Sequence, residues 1–173
     1  MLIDIAAIIH NDGINGPGLR TTVFTQGCKH ACEGCHSEHT WKFNIGTKYT
    51  EEELYKEITK NKLDKGITFS GGDPVYQYKK LISVVQKLKE AQYDLMLYTG
   101  FSKEELETMM NKHPPLKDFI IPFDRIVTDR FVLAERDLTM KFRGSRNQRI
   151  VKPVVNSDTV ILQDITDEFD SQP

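Results

Sequence analysis

Three times along this 173-residue chain a short run of β-branched and aromatic residues meets glycine and gives way to a segment of helical periodicity. Leu19 to Gln26 reads as a strand that Gly27 ends, and Thr50 with Glu53 forms a capping box for a helix over 51–62 with Leu54 and Ile58 on one face. Ile67 to Ser70 reads as the next strand. It runs into Gly71, Gly72, Asp73 and Pro74, after which Leu81, Val84, Val85 and Leu88 recur at i, i+3, i+4 and i+7. Leu95 to Tyr98 is a third strand, and Ser102 with Glu105 is a second capping box, opening a helix that reaches about Asn111 and that Pro114 and Pro115 close. Arg125 to Thr128, Gln148 to Val155 and Val160 to Leu162 follow as further strands, and Pro153 argues that the second of these is an edge strand. Strand–helix alternation of this kind specifies a mostly parallel sheet. A closed eight-stranded barrel typically takes about 250 residues, so the expected fold is α/β, a partial, incomplete β/α barrel. Residues 1–163 are expected to form one domain, followed by an acidic tail over 164–173 that is mobile at Asp164 to Asp170.

Composition excludes several classes. Hydrophobic residues make up 39% and charged residues 28%, which is neither a disordered chain nor one with a long apolar span. A net charge of -2 gives no basic footprint for nucleic acid. The segment Met1 to Ile9 is apolar but holds Asp4 and has no basic region before it, so it does not read as a signal peptide. The expectation is a cytoplasmic protein with no membrane and no nucleic acid among its partners.

All three cysteines lie within eight residues, Cys28, Cys32 and Cys35, too close to staple separate loops by disulfides. Cys-x3-Cys-x2-Cys at the end of a predicted strand places three thiols where they can wrap one metal centre. Two centres fit. A structural zinc site takes four ligands, and His36 or His39 could supply the fourth. A four-iron cluster held by three cysteines would leave one iron open to a non-protein ligand, which makes the site reactive. A loop histidine is more often solvated than ligated, and this applies to His30, His36 and His39 alike.

The cysteine spacing resembles that of the radical S-adenosylmethionine enzymes. The match continues through Asn15, Gly16, Pro17, Gly18 and Arg20 before the loop, Trp41 after it, then Ser70 to Pro74, and then Tyr98, Thr99 and Gly100. Late in the chain Phe142, Arg143, Gly144, Ser145, Asn147 and Gln148 resemble the Trp-Arg-Gly-Ser-x-Asn-Gln signature of the anaerobic ribonucleotide-reductase activating proteins, with Phe142 in place of Trp. The resemblance covers about residues 10–152. It departs from the wider superfamily at Gly34, where an aromatic residue near the adenine is usual, but glycine stands there in this subfamily.

The resemblance implies the fold of that superfamily and two cofactors, a [4Fe-4S] cluster on Cys28, Cys32 and Cys35 and S-adenosylmethionine on the fourth iron. It implies cofactor contacts at Gly34, Cys35, His36, Gly71, Gly72, Asp73, Tyr98 and Thr99, the Gly-Gly-Asp turn meeting the methionine ammonium. The implied activity is reductive cleavage of S-adenosylmethionine and hydrogen abstraction from a glycine of the large reductase subunit, which leaves a glycyl radical. With every cysteine committed to one cluster, the electron must come from outside, from a donor such as reduced flavodoxin, expected to dock near Lys29 and His30. Two other functions stand beside this one: activation of another glycyl-radical enzyme such as pyruvate formate-lyase, and a zinc-stabilised binding module without catalysis.

Overall fold

The computed structural model describes residues 1–157 and 159–170. These form one eight-stranded sheet: β1 (Ile3–Asp12), β2 (Arg20–Thr25), β3 (Thr47–Tyr49), β4 (Gly66–Gly71), β5 (Asp94–Tyr98), β6 (Arg125–Thr128), β7 (Arg149–Asn156) and β8 (Thr159–Asp164). Across the sheet the order is β3-β1-β2-β4-β5-β6-β7-β8, with β3 and β8 at the two margins. The central strands β2, β4, β5 and β6 run parallel, as the strand–helix alternation demands, while β1, β3, β7 and β8 join by antiparallel pairing. The sheet is therefore open and mixed, parallel at its centre only.

Helices α1 (Glu51–Ile58), α2 (Tyr78–Glu90), α3 (Lys103–Lys112) and α4 (Pro115–Ile120) supply the crossovers. Both predicted capping boxes form: Thr50 and Ser102 each accept the N–H of the glutamate three residues on, and that glutamate accepts the cap's own N–H. Side chains alternate across the strands. Ile67, Phe69, Leu95, Leu97, Ile126 and Val151 face the helices and join Leu54, Leu81, Leu88, Leu106 and Phe119 in the main core. At about 1.5–3 kcal/mol for each fully buried Leu or Phe, this face dominates stability. The alternate residues Met96, Val127 and Ile150 form a smaller cluster on the other face with Ile165.

The apolar N-terminus, assigned no element above, is strand β1, paired with both β2 and β3. Three expectations are corrected. Pro115 opens α4 rather than merely closing α3, because proline suits the first helical turn. Strand β7 is not the edge of the sheet, since β8 lies outside it. Its pairing with β6 covers only Arg149 to Val151, so Pro153 faces β8 on one side and no strand on the other, and its missing N–H costs no ladder bond. The acidic segment is packed to Asp170: Asp164 ends β8, Ile165 is buried, and Asp167–Asp170 is the short helix α5. Apolar Ile165 and Phe169 lie among its acids, and their burial on the second cluster holds the segment down. Residues 171–173 lie outside the described residues. No helix among the described residues is long and apolar enough to cross a membrane.

Candidate functional site

The parallel strands end together, and the loops leaving them line one pocket, where parallel α/β folds place their ligands. From β2 come Cys28, His30, Cys32, Cys35 and Trp41; from β4, Ser70, Gly71 and Gly72; from β5, Tyr98, Thr99 and Gly100; from β6, Asp129 and Phe131. The cysteine loop is fixed at its base, where the N–H groups of Gly27 and Cys28 donate to the carbonyls of Thr40 (2.7 Å) and Trp41 (3.0 Å). Ala31 and Gly34 both have positive φ, which tightens the loop between the cysteines.

All three cysteines are free thiols and half-buried. His30 N–H points at Cys28 Sγ and Ser37 N–H at Cys35 Sγ, each at 3.4 Å, so two sulfurs already receive the amide dipoles that favour a thiolate. Burial pushes the Cys28 thiol up to about 11, with Asp73 and the other two cysteines adding to the shift, and burial raises Cys32 as well. Loading a metal centre here means displacing protons from neutral thiols. Three sulfur donors from one loop, bordered by an apolar wall of Trp41, Tyr98 and Phe131, fit an iron–sulfur cluster.

Asp73 is the joint of the site and not part of its lining. Its carboxylate is 1% exposed. Oδ2 bonds to His30 Nε2 (2.8 Å) and accepts from Thr99 Oγ1 (2.9 Å) and Gly100 N–H (2.9 Å), while Oδ1 accepts Val75 N–H (3.0 Å). One carboxylate thus ties the cysteine loop, the β4 turn and the β5 turn together. His30 is not a solvated loop histidine: its side chain is 5% exposed and its ring packs between Tyr76 and Phe101. Its imidazole is turned inward, whereas Lys29 is exposed, with Nζ 5.9 Å from the centroid of the Phe43 ring.

The glycine turn is structural in a way the sequence did not show. A Cβ on Gly72 would strike the backbone of Gly27, and one on Gly71, whose φ is +101°, the backbone of Phe24 and Thr25. These glycines let the β4 turn press on the start of the cysteine loop, with Gly72 N–H donating to Thr25 O (2.7 Å) and Asp73 N–H to Gly27 O (2.9 Å). Both still line the pocket. A side chain at Gly72 would therefore disturb the fold before it met a ligand.

Beside the cysteines the pocket widens into a hollow of about 530 Å³, lined by Asn15, Phe24, Cys35, His36, Ser70, Tyr98 and Phe131 and, on its far wall, by Phe142 and Arg143. That volume is in the range of small-molecule sites. Burial pushes the Tyr98 phenol far above its ordinary value, so it is a neutral hydroxyl at any physiological pH. Of the sequence candidates, Cys28, Cys32, Cys35, His36, Gly71, Gly72, Tyr98 and Thr99 reach the pocket or the hollow. Gly34 does not: it is exposed outside the pocket lining, and a Cβ there would stand 2.9 Å from Leu133 Cδ1. His39 is exposed, and among the described residues no three His, Cys, Asp or Glu side chains close around a single metal ion. Asp129 and Phe131 escaped the sequence reading, although their place just after strand β6 was a signal for them. Gln148, named there as the start of a strand and as part of the signature, also lines both spaces.

Residues 14–151 match a family model described as a 4Fe-4S single cluster domain. The chain is 31% identical over 148 residues to the anaerobic ribonucleoside-triphosphate reductase-activating protein of Vibrio cholerae, covering 80% of this chain and 91% of that protein. It is 32% identical over 145 residues to the protein of that name from Escherichia coli K12, covering 79% and 90%. Among solved structures, QueE from Escherichia coli aligns over 59% of this chain and 54% of its own, with a TM-score of 0.48 and 16% identity.

Proposed function

We propose, for a chain that belongs to the family of anaerobic ribonucleoside-triphosphate reductase-activating proteins and carries their 4Fe-4S single cluster domain, that it activates an anaerobic ribonucleotide reductase by radical chemistry. The carrying observation is the trio of free thiols at the C-terminal ends of parallel strands, sharing one pocket with the Gly71–Gly72 turn and opening on a hollow large enough for a nucleoside. In this reading the sheet is an incomplete β/α barrel of the radical S-adenosylmethionine type. Bound there, a [4Fe-4S] cluster and S-adenosylmethionine would supply the reductive carbon–sulfur cleavage whose adenosyl radical takes hydrogen from a glycine of the reductase.

The chain's own residues hold and orient. Cys28, Cys32 and Cys35 would each ligate one iron, and the amides of His30 and Ser37 would stabilise two of those thiolates. Asp73 keeps the three loops in register, so that the Gly71–Gly72 backbone, Thr99 and the thiols face one space. Trp41, Tyr98 and Phe131 wall that space, excluding water from a reactive intermediate. All three cysteines in the sequence are used, which leaves none for a relay cluster, so an external one-electron donor such as reduced flavodoxin is required.

The test is anaerobic reconstitution followed by iron and sulfide analysis and a visible spectrum, then electron paramagnetic resonance after mixing with S-adenosylmethionine, reductant and the reductase. About four irons per chain and a glycyl radical that depends on reductant are expected. Zinc in place of iron would overturn the cluster. Methionine release without a radical on the reductase would mean a different protein substrate, such as another glycyl-radical enzyme.

A further inference from the structure

The far wall of the hollow is held in a conformation that it would not keep alone. Phe142 has φ +60°, a region that side-chain-bearing residues avoid. The Arg143 side chain is 3% exposed, its Nη1 donates to Gln148 O at 3.4 Å, and its Nε has no partner among the described residues. A strained backbone beside an under-satisfied buried cation persists only where the surroundings enforce it.

The enforcement comes from the segment that reads in sequence as a tail. The Phe169 ring packs edge-on to Phe142 at 6.0 Å, and Asp170 forms an ion pair with Arg143 Nη2. The segment is anchored by Ile165, buried with Met96, Val127 and Ile150, and by Ile165 N–H donating to Ile150 O and Ile150 N–H to Thr166 Oγ1. Two neighbours in the C-terminal segment thus clamp two neighbours in the Arg-Gly-Ser loop.

We infer that Phe169 and Asp170 are positioning residues, which hold Phe142 and Arg143 as the wall against which the glycine-bearing loop of the reductase docks. This rests on the function proposed above. The wall lies in the half of the hollow away from Cys28, Gly72 and Thr99, which border only the cysteine pocket. Beside it the rim carries Ile14 and Leu138, 82% and 71% exposed, apolar groups at the mouth of a deep site that an entering protein loop would cover.

The experiment uses cluster-loaded, full-length protein under anaerobic conditions with Asp170→Asn, Asp170→Glu, Phe169→Ala and the rim variant Leu138→Asp. Three quantities are measured: S-adenosylmethionine cleavage with dithionite and no reductase, glycyl-radical formation against reductase concentration, and the Kd for the reductase by calorimetry. Asp170→Asn, Phe169→Ala and Leu138→Asp should raise KM and Kd at least fivefold while kcat and uncoupled cleavage stay within twofold, and Asp170→Glu should behave as wild type. Unchanged KM and Kd in Asp170→Asn and Phe169→Ala would overturn the inference, as would cleavage falling in step with KM, which would move the wall to the cofactor. Wild-type protein that cleaves S-adenosylmethionine but leaves no radical on the reductase would instead refute the function itself, and the docking role with it.

Discussion

The two ends of the parallel strands are built from the same elements and do opposite things. At their N-terminal ends Arg20, Gly66 and Asp94 stand in register across β2, β4 and β5. Arg20 is fully buried and every nitrogen has a partner: Nε donates to Thr68 Oγ1, Nη1 to Pro17 O and Asp94 Oδ1, and Nη2 to the carbonyls of Ile67 and Asp94. Arg125 closes the network from β6 with two bonds to the same carboxylate. At the C-terminal ends the backbone and Asp73 are well bonded, but the Cys28 and Cys35 thiols receive only weak amide contacts and the Arg143 Nε has no partner among the described residues. Glycine serves both ends, Gly66 clearing room for the arginine and Gly72 for the cysteine loop. A polar cluster that saturates itself is structure, and one left short of partners is where a ligand is expected.

The largest effect should fall at the unsaturated end. Replacing Cys28, Cys32 or Cys35 with alanine should reduce S-adenosylmethionine cleavage to background in each case, measured as methionine release after anaerobic reconstitution, with the fold intact by circular dichroism. One active variant would break the contrast. At the saturated end Asp94→Ala should cost about 3–5 kcal/mol in urea unfolding, because it leaves the buried Arg20 charge without its carboxylate, while iron content per folded molecule stays normal. Activity lost ahead of stability would place Arg20 in the site after all. In cluster-free protein, Cys28 should react with iodoacetamide roughly a hundredfold more slowly than an unperturbed thiol at pH 7.5, and faster as pH rises toward about 11. Equal rates, read by mass spectrometry, would mean that the thiol is more open than its burial indicates.

The smallest effect belongs to a pair outside both ends. Arg149 holds the Glu104 carboxyl at about 2, but the Glu104 side chain is 64% exposed, so Glu104→Ala should cost no more than about 1 kcal/mol. A depressed carboxyl pKa adds stability above its unfolded value near 4.3 and loses it as pH falls through the folded value. The variant's deficit should therefore be present at neutral pH and vanish toward pH 2, a shift that urea midpoints across that range would register.

Local chemistry was legible in the sequence where short-range physics sets it. The capping boxes at Thr50 and Ser102 need only residues three apart, and the periodicity of α2 needs only its own turns. The parallel core follows from strands separated by helices. Strand β1 was missed because its partners, β2 and β3, come later in the chain and nothing in its composition names them. The acidic segment misled because charge outweighs two apolar residues in composition, whereas Ile165 and Phe169 decide its packing.

By itself the sequence determined that three thiols share one loop at a strand's end and that the Gly71–Gly72 turn and Thr99 stand at comparable ends, since spacing and order along a chain are conserved by any fold it adopts. Only the tertiary structure decided which of these groups line the pocket and which face each other. In sequence Asp73 reads as a cofactor contact and His30 as a solvated loop histidine, and both are buried partners whose bond joins residues 43 apart. Arg143 looks like one residue of a solvated turn, and it is a buried cation clamped by Asp170. Those outcomes depend on contacts between distant segments, and a buried polar group takes whichever partner the fold brings within about 3 Å, a distance that no local pattern encodes.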